Sequence, residues 1–344
     1  MQDIVTLTTN KAALELYRLC GLSSPIGVDY TVGIYQEDTL IAVGSLKGDM
    51  IQGLAVHPQH QGEDLTAKVI TELIAHATAK GITALYLFTK PEKSSMLSQL
   101  GFTVIAKAHP YAALLEWGAP GIQAFKRELT ALSQSIMATP KGAIVMNCNP
   151  FTLGHLYLIE EAAKRCGHVF VIAVAEDKSV FPYEIRLRLI KEGTAHLGNV
   201  TVVGGGRYAV SSLTFPSYFT RESAVADAHA AIDTGIFAEH IAPALGIEVR
   251  FVGTEPFSQV TDLYNQKMKQ RLPLSGIEVV EIPRVQHEGH EISASTVRRL
   301  LINEDFESIK ALVPDTTYRF LTSKDCLPII RKLQEGSGYI EDGK

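Results

Sequence analysis

Apolar positions in this chain follow one rhythm up to about residue 118 and another from about residue 143. In the first stretch, short apolar runs at 30–35, 40–46 and 50–56 are separated by the polar turns Gln36-Glu37-Asp38 and Lys47-Gly48-Asp49. This spacing predicts a strand meander. A helix capped by Asn10 and ended by Gly21 precedes it. A second helix is predicted over 64–80, with Leu65, Val69, Leu73 and Ile74 on one face and Gly81 at its end. A strand at 84–88, a short helix at 94–100 and strands at 103–107 and 112–117 complete a mixed α/β unit over residues 1–118. Residues 119–142, with one helix at 122–132 and then Pro140 and Gly142, read as a connector.

From 143 to 344 the rhythm becomes strand–helix alternation. Runs at 143–147, 169–175, 200–203, 249–253 and 279–282 are apolar almost throughout, as in Val169-Phe170-Val171-Ile172-Ala173-Val174-Ala175. Strands buried on both faces belong to parallel sheets with helices on either side. A Rossmann-like, doubly wound fold is therefore expected. Such sheets bind ligands beyond the carboxyl ends of their strands. Residues 149–155, Lys178 and Gly253-Thr254-Glu255 fall there.

Composition narrows the function classes. With 344 residues and 46% hydrophobic content, the chain is long enough for two cores. A net charge of −5 and the lack of any long Lys/Arg block argue against a nucleic-acid surface. No apolar run is long enough to span a bilayer, and the amino terminus lacks the basic-then-apolar pattern of a signal peptide. The four cysteines, Cys20, Cys148, Cys166 and Cys326, form no CxxC pair. They read as free thiols of a reducing, cytoplasmic compartment.

Two strings carry the chemistry: Asn149-Pro150-Phe151-Thr152-Leu153-Gly154-His155 and Ile292-Ser293-Ala294-Ser295-Thr296-Val297-Arg298. In the first, a strand runs out into a helix. Gly154 permits a tight turn, and a three-residue offset places Thr152 beside His155 at the helix mouth. The second opens a helix with capping serines and sets Arg298 one turn in. Helix N-termini offer unpaired N–H groups and the positive end of the dipole, so both suit phosphate. Alone, each string reads first as an ordinary helix start with a surface histidine or arginine. Their order on this fold makes the pair specific. His287-Glu288-Gly289-His290 also spells HxGH, but it lacks a strand-to-helix turn and reads as the loop delivering the second string. Two histidines are too few for a metal site. Gly204-Gly205-Gly206 reads as a turn, Cys148 as a buried thiol, and Arg188 as part of the polar face of a helix over 183–197.

The two strings resemble the (H/T)xGH and ISxSxxR signatures of the nucleotidyltransferase superfamily. Together with Asn147, Lys178, Pro182-Tyr183-Glu184-Ile185-Arg186 and Gly253-Thr254-Glu255, they resemble the citrate lyase ligase family. That resemblance implies an acetate- and ATP-dependent, AMP-forming ligase. It would load acetyl groups onto the prosthetic-group thiol of the citrate lyase acyl carrier protein through an acetyl-adenylate. It further implies that Thr152 and His155 contact the phosphates and that Lys178 offsets their charge. Ser295 and Arg298 would hold the leaving pyrophosphate, and Gly253 and Thr254 would edge adenine and ribose. Asn147, Asn149, Phe151, Gly154, Ile292 and Ser293 would complete the nucleotide site. Mg²⁺ would bridge the phosphates, mainly through water.

The family also carries an acetyltransferase-like first domain. Here Gln59-His60-Gln61-Gly62-Glu63-Asp64 resembles the GNAT pyrophosphate loop, with Gln59 and Gly62 matching. Asp64 stands where that loop has Gly or Ala. It is placed to cap the helix, but its charge opposes a pyrophosphate at the N–H cradle. Docking of the carrier's thiol arm at Gln59, Gln61 and Gly62 is therefore the expectation. Two other functions use the same features: an adenylyltransferase that makes a dinucleotide, and a non-catalytic nucleotide or acyl-CoA sensor.

Overall fold

A computed structural model describes residues 2–7, 11–175, 179–209, 222–254, 259–287 and 289–336. Within these the chain groups into two compact units. Residues up to 125 and residues 222–235 form one, and 126–209 with 236–336 form the other.

The first unit is a seven-stranded mixed sheet. Its elements are β1 (Gln2–Thr6), α1 (Lys11–Leu19), β2 (Tyr30–Gln36), β3 (Thr39–Lys47), β4 (Met50–Val56), α2 (Leu65–Ala79), β5 (Ala84–Thr89), α3 (Ser94–Gln99), β6 (Thr103–Ala108) and β7 (Ala112–Gly118). The strand order is β1-β2-β3-β4-β5-β7-β6. All pairs are antiparallel except β4 with β5, which run parallel. The expected meander is therefore present as β2, β3 and β4. β1 was not expected: most of its residues are exposed, so it carries no alternation of burial. Leu65, Val69, Ile70, Leu73 and Ala77 form the buried face of α2. They join Val32, Ile34, Ile41, Leu85 and Leu87 in one core. Each buried aliphatic side chain contributes about 1.5–3 kcal/mol. The predicted Asn10 cap lies outside the described residues. Asp64 does not cap α2: it adopts a left-handed backbone (φ 54°) and makes no capping hydrogen bond.

After α4 (Gly121–Ser133) the strand–helix alternation begins with β8 (Lys141–Met146), α5 (Leu153–Arg165), β9 (His168–Ala173), α6 (Tyr183–Thr194) and β10 (Val200–Gly204). Next come α7 (Glu222–Ile236), α8 (Ala242–Leu245), β11 (Val249–Gly253), α9 (Gln259–Arg271) and β12 (Glu278–Ile282). The chain then makes a small hairpin, β13 (Gln286–His287) and β14 (His290–Glu291). Four helices follow: α10 (Ala294–Ile302), α11 (Phe306–Lys310), α12 (Asp315–Leu321) and α13 (Leu327–Glu335). The sheet order is β10-β9-β8-β11-β12, parallel throughout. This is the doubly wound sheet that the continuous apolar runs predict. β8 lies at its centre. The chain leaves β8 toward β9 on one side and returns on the other as β11, so the switch point lies between β8 and β11, where a ligand crevice is expected. Among the described residues no helix is long and apolar enough to cross a membrane.

Candidate active site

The switch point is built by the segment that follows β8. Asn147, Cys148 and Asn149 end the strand, with Cys148 in the left-handed region (φ 53°). The Asn149 side-chain oxygen accepts from the Phe181 N–H at 3.0 Å. Asn147 and the Ser179 hydroxyl hydrogen-bond at 3.1 Å. Thr152 then caps α5 in a reciprocal arrangement. Its Oγ1 accepts from the His155 N–H at 3.4 Å, and its own N–H donates to His155 Nδ1 at 3.0 Å. A capping box satisfies two otherwise orphaned donors. Here histidine fills the place usually taken by Glu or Gln.

That box fixes the chemistry of His155. Because Nδ1 accepts from a backbone N–H, a neutral ring must carry its proton on Nε2. The Thr152 hydroxyl lies 2.8 Å from the same Nδ1 and can donate to it while accepting from the His155 N–H. Burial, together with the positive charge of Arg284, pushes the imidazole down to about 4. Hydrogen bonding and electrostatics therefore agree on a neutral donor at pH 7 rather than an imidazolium. Behind it the Phe151 ring, wholly buried, stacks at 6.0 Å and 15° to the imidazole. Phe151 also fills the space beside Gly193. Its side chain supports His155 from inside the core and is not open to a ligand.

The second string meets the first. Ser293 caps α10 by accepting from the Thr296 N–H at 3.1 Å, and its hydroxyl lies 2.9 Å from those of Ser295 and Thr296. A Cβ on Gly154 would stand 2.9 Å from the Ile292 carbonyl oxygen. Glycine is needed there for close approach of the two helix starts. Its backbone is not left-handed, which corrects the sequence-based reason. Arg298 is buried and donates from Nη1 to the Asn149 carbonyl at 2.6 Å. The β13–β14 hairpin pairs His287 with His290 and leads straight into Ile292, so the second HxGH string is the delivery loop expected.

Beyond β11 and β12 stands a group that sequence reading missed. The Arg284 N–H donates to the Thr254 hydroxyl at 3.1 Å, and its Nε donates to the Thr254 carbonyl at 2.7 Å. Glu291 stands 3.7 Å from the same Nε. Its signal was position: it follows the end of β12 by two residues, where a parallel sheet gathers ligand groups. Gly253 is held through its carbonyl by the Asn265 amide at 3.0 Å. Arg186 was also undervalued, being fully buried. Arg188 is half exposed and lies 3.9 Å from Glu192, as a polar helix face requires. Lys178 and Glu255 lie outside the described residues. Gln59, Gln61 and Gly62 belong to the first unit.

An open cleft of about 340 Å³ adjoins the junction, between Leu153, Leu156 and Tyr157 of α5 and Val285 and Ile292 beyond β12. Donors dominate the junction itself: the helix N–H groups, hydroxyls of Ser295 and Thr296, and His155. Such a set suits phosphate oxygens. Cys148 is no nucleophile, since burial pushes its thiol far up.

Comparison with known proteins supports the same reading. The family profile for the citrate lyase ligase C-terminal domain matches residues 141–321, more than half of the chain. A citrate (pro-3S)-lyase ligase from Klebsiella pneumoniae is 41% identical over 292 residues, covering 83% of this chain and 84% of its own. The corresponding protein of Escherichia coli K12 is 39% identical over 327 residues, 92% of each chain. The chain belongs to the citrate lyase ligase family. Membership makes it an enzyme of the ligase class and places its second unit among nucleotidyltransferase folds. A phosphopantetheine adenylyltransferase from Actinobacillus pleuropneumoniae is 42% identical over 59 residues, 16% of this chain and 37% of its own. For the first unit, an N-acetyltransferase from Staphylococcus aureus Mu50 covers 34% of the chain at 18% identity and a TM-score of 0.30.

Proposed function

We propose that this protein is an ATP-dependent, AMP-forming acetate ligase that acetylates the prosthetic-group thiol of the citrate lyase acyl carrier protein. The observation that carries this reading is the junction of two capped helix starts around a neutral His155, in a chain of this family. Acetate oxygen attacks the α-phosphorus of ATP, the bond to the bridging oxygen breaks, and pyrophosphate leaves. The carrier thiol then attacks the acetyl carbonyl carbon and loses its proton, and AMP departs. In-line displacement of this kind asks for positioning and charge stabilisation rather than a protein nucleophile.

In this reading His155 donates from Nε2 to a phosphoryl oxygen as charge builds there. Being neutral, it does so without first having to take up a proton. The Gly154 N–H of α5 and the first N–H groups of α10, with the hydroxyls of Ser293 and Ser295, receive the phosphates, while Thr152 holds the His155 ring toward them. Lys178 adds charge, Gly253 and Thr254 edge the nucleoside, and Arg298, buried and bonded to the Asn149 carbonyl, supports the site from behind the first string rather than as a phosphate ligand. The donor set at the junction fits phosphate oxygens, and in this reading Mg²⁺ arrives with ATP as part of the substrate. Residues 1–118 form the acetyltransferase-like domain, and its loop with Gln59, Gln61 and Gly62 receives the carrier's thiol arm.

The test supplies MgATP, acetate and deacetylated carrier and measures AMP and acetyl thioester. Acetate-dependent exchange of labelled pyrophosphate into ATP is expected without carrier, and thioester only with it. Pyrophosphate release that ignores acetate would falsify the ligase reading, and a dinucleotide product would replace it with adenylyl transfer.

A further inference from the structure

Two buried guanidinium groups from different helices hold one three-residue turn. Arg186 of α6 is 0% exposed. Its Nη1 shares its two hydrogens among three acceptors, the Asn147 carbonyl at 2.8 Å, the Asn147 side-chain oxygen at 2.7 Å and the Val174 carbonyl at 2.7 Å. Its Nε donates to the Phe181 carbonyl at 3.0 Å. Arg298 of α10 is 3% exposed and donates to the Asn149 carbonyl at 2.6 Å. Between the two gripped carbonyls sits Cys148, a non-glycine residue at φ 53°.

Each part of this arrangement has a physical cost. A left-handed backbone is unfavourable at a residue with a side chain. Desolvating a guanidinium is costly unless its donors are satisfied. What a rigid, five-donor fork does better than packing is fix carbonyl orientations. Arg186 joins the ends of β8 and β9 to the start of α6, and Arg298 joins the second string to the first. The turn they grip lies three residues before Thr152, whose N–H sets the imidazole of His155.

We infer that Arg186 and Arg298 act together as a clamp on Asn147–Asn149, positioning the Thr152–His155 box without touching the reacting phosphorus. Arg186 is thus a positioning residue that sequence reading did not assign, and Arg298 works through the Asn149 carbonyl. The inference rests on the junction being the adenylate-forming site, but one of its readouts does not.

The experiment uses the full chain with Arg186→Lys and, separately, Arg298→Lys. An ammonium cannot span the same acceptors. Acetate-dependent pyrophosphate exchange is expected to lose about ten-fold or more in kcat, with KM for ATP within about three-fold. In the same folded variants, nitrogen NMR of the His155 imidazole should show its titration moving up from about 4, because a ring released from the box leaves the buried place that holds it down. A folded variant with kcat within about two-fold and an unmoved imidazole titration overturns the clamp. So does an Arg298→Lys loss that falls mainly in KM, which would make Arg298 a phosphate ligand. If the unsubstituted enzyme shows no acetate-dependent exchange, the proposed reaction fails while the imidazole readout still decides the clamp. If neither variant folds, guanidinium N–H exchange in the unsubstituted protein decides it. Arg186 and Arg298 should exchange about 100-fold or more slower than exposed Arg188, and equal rates overturn the proposal.

Discussion

At the scale of single residues, the histidine of the first string gains its character from what its other nitrogen does. Nδ1 is occupied by Thr152, so His155 can only give from Nε2. Replacing it by alanine removes one preorganised donor, which in comparable sites costs about 10²–10³ in kcat. Acetate-dependent pyrophosphate exchange in His155→Ala should fall by that order, with KM for ATP little changed; activity above about a tenth of the parent's would remove His155 from the chemical step. The titration direction gives a second expectation. The folded imidazole titrates near 4 against 6.5 for an unhindered one. Above that higher value the ring is neutral folded and unfolded, and adds no pH dependence. Between the two values only the unfolded chain binds the proton, so stability falls with falling pH by as much as ~1.4 kcal/mol per unit. Below about 4 both forms are protonated and the loss stops. Urea midpoints across this range should fall less steeply in His155→Gln than in the parent; parallel curves would contradict the low imidazole value. Gly154→Ala tests the junction. Its Cβ would meet the Ile292 carbonyl oxygen at 2.9 Å, a backbone atom that cannot swing aside. A stability loss of about 1–3 kcal/mol, together with weaker ATP binding, is expected by calorimetry.

Among the elements, legibility followed the strength of the local signal. The central strands were readable because both faces of β8 and β9 are buried, leaving continuous apolar runs. The starts of α5 and α10 were readable because Thr152 and Ser293 stand where capping side chains are needed. β1 was not, since exposure leaves its composition unconstrained. Nor was the role of Arg186 legible: on a helix wheel it is one more cation, and only the meeting of the start of α6 with the segments that follow β8 and β9 turns it inward. Arg284 was lost for a similar reason, because its bonds to Thr254 join two loops 30 residues apart. The cap of α10 can be checked directly. Ser293→Ala removes the acceptor of the Thr296 N–H and the hydroxyl that orients Ser295. A loss of about 1 kcal/mol in stability is expected. KM for ATP should rise as well, because the freed N–H groups lose their order; a pure stability change would confine Ser293 to folding.

For the whole molecule, the division into two units poses the question of what each contributes to a reaction with two halves. Everything needed to form an adenylate is assigned to the second unit: two helix starts, His155, and the residues beyond β11 and β12. The first unit offers different material. Its loop between β4 and α2 holds Gly62 at φ 98° and Asp64 at φ 54°, with His60 and Glu63 paired at 3.0 Å. Asp64 leaves α2 without a side-chain cap, and its charge disfavours a pyrophosphate there. An amide-bearing arm carries no such charge and can pair with uncapped N–H groups and glutamine side chains. The two halves should therefore separate under substitution. Gln59→Ala combined with Gln61→Ala removes polar groups from the loop and changes no residue of the second unit. Acetate-dependent pyrophosphate exchange is expected to stay within about two-fold of the parent, while thioester formation on the carrier falls by about ten-fold, mostly through the KM for carrier. Loss of both activities together would make the loop a folding element, and retention of both would move carrier recognition away from it.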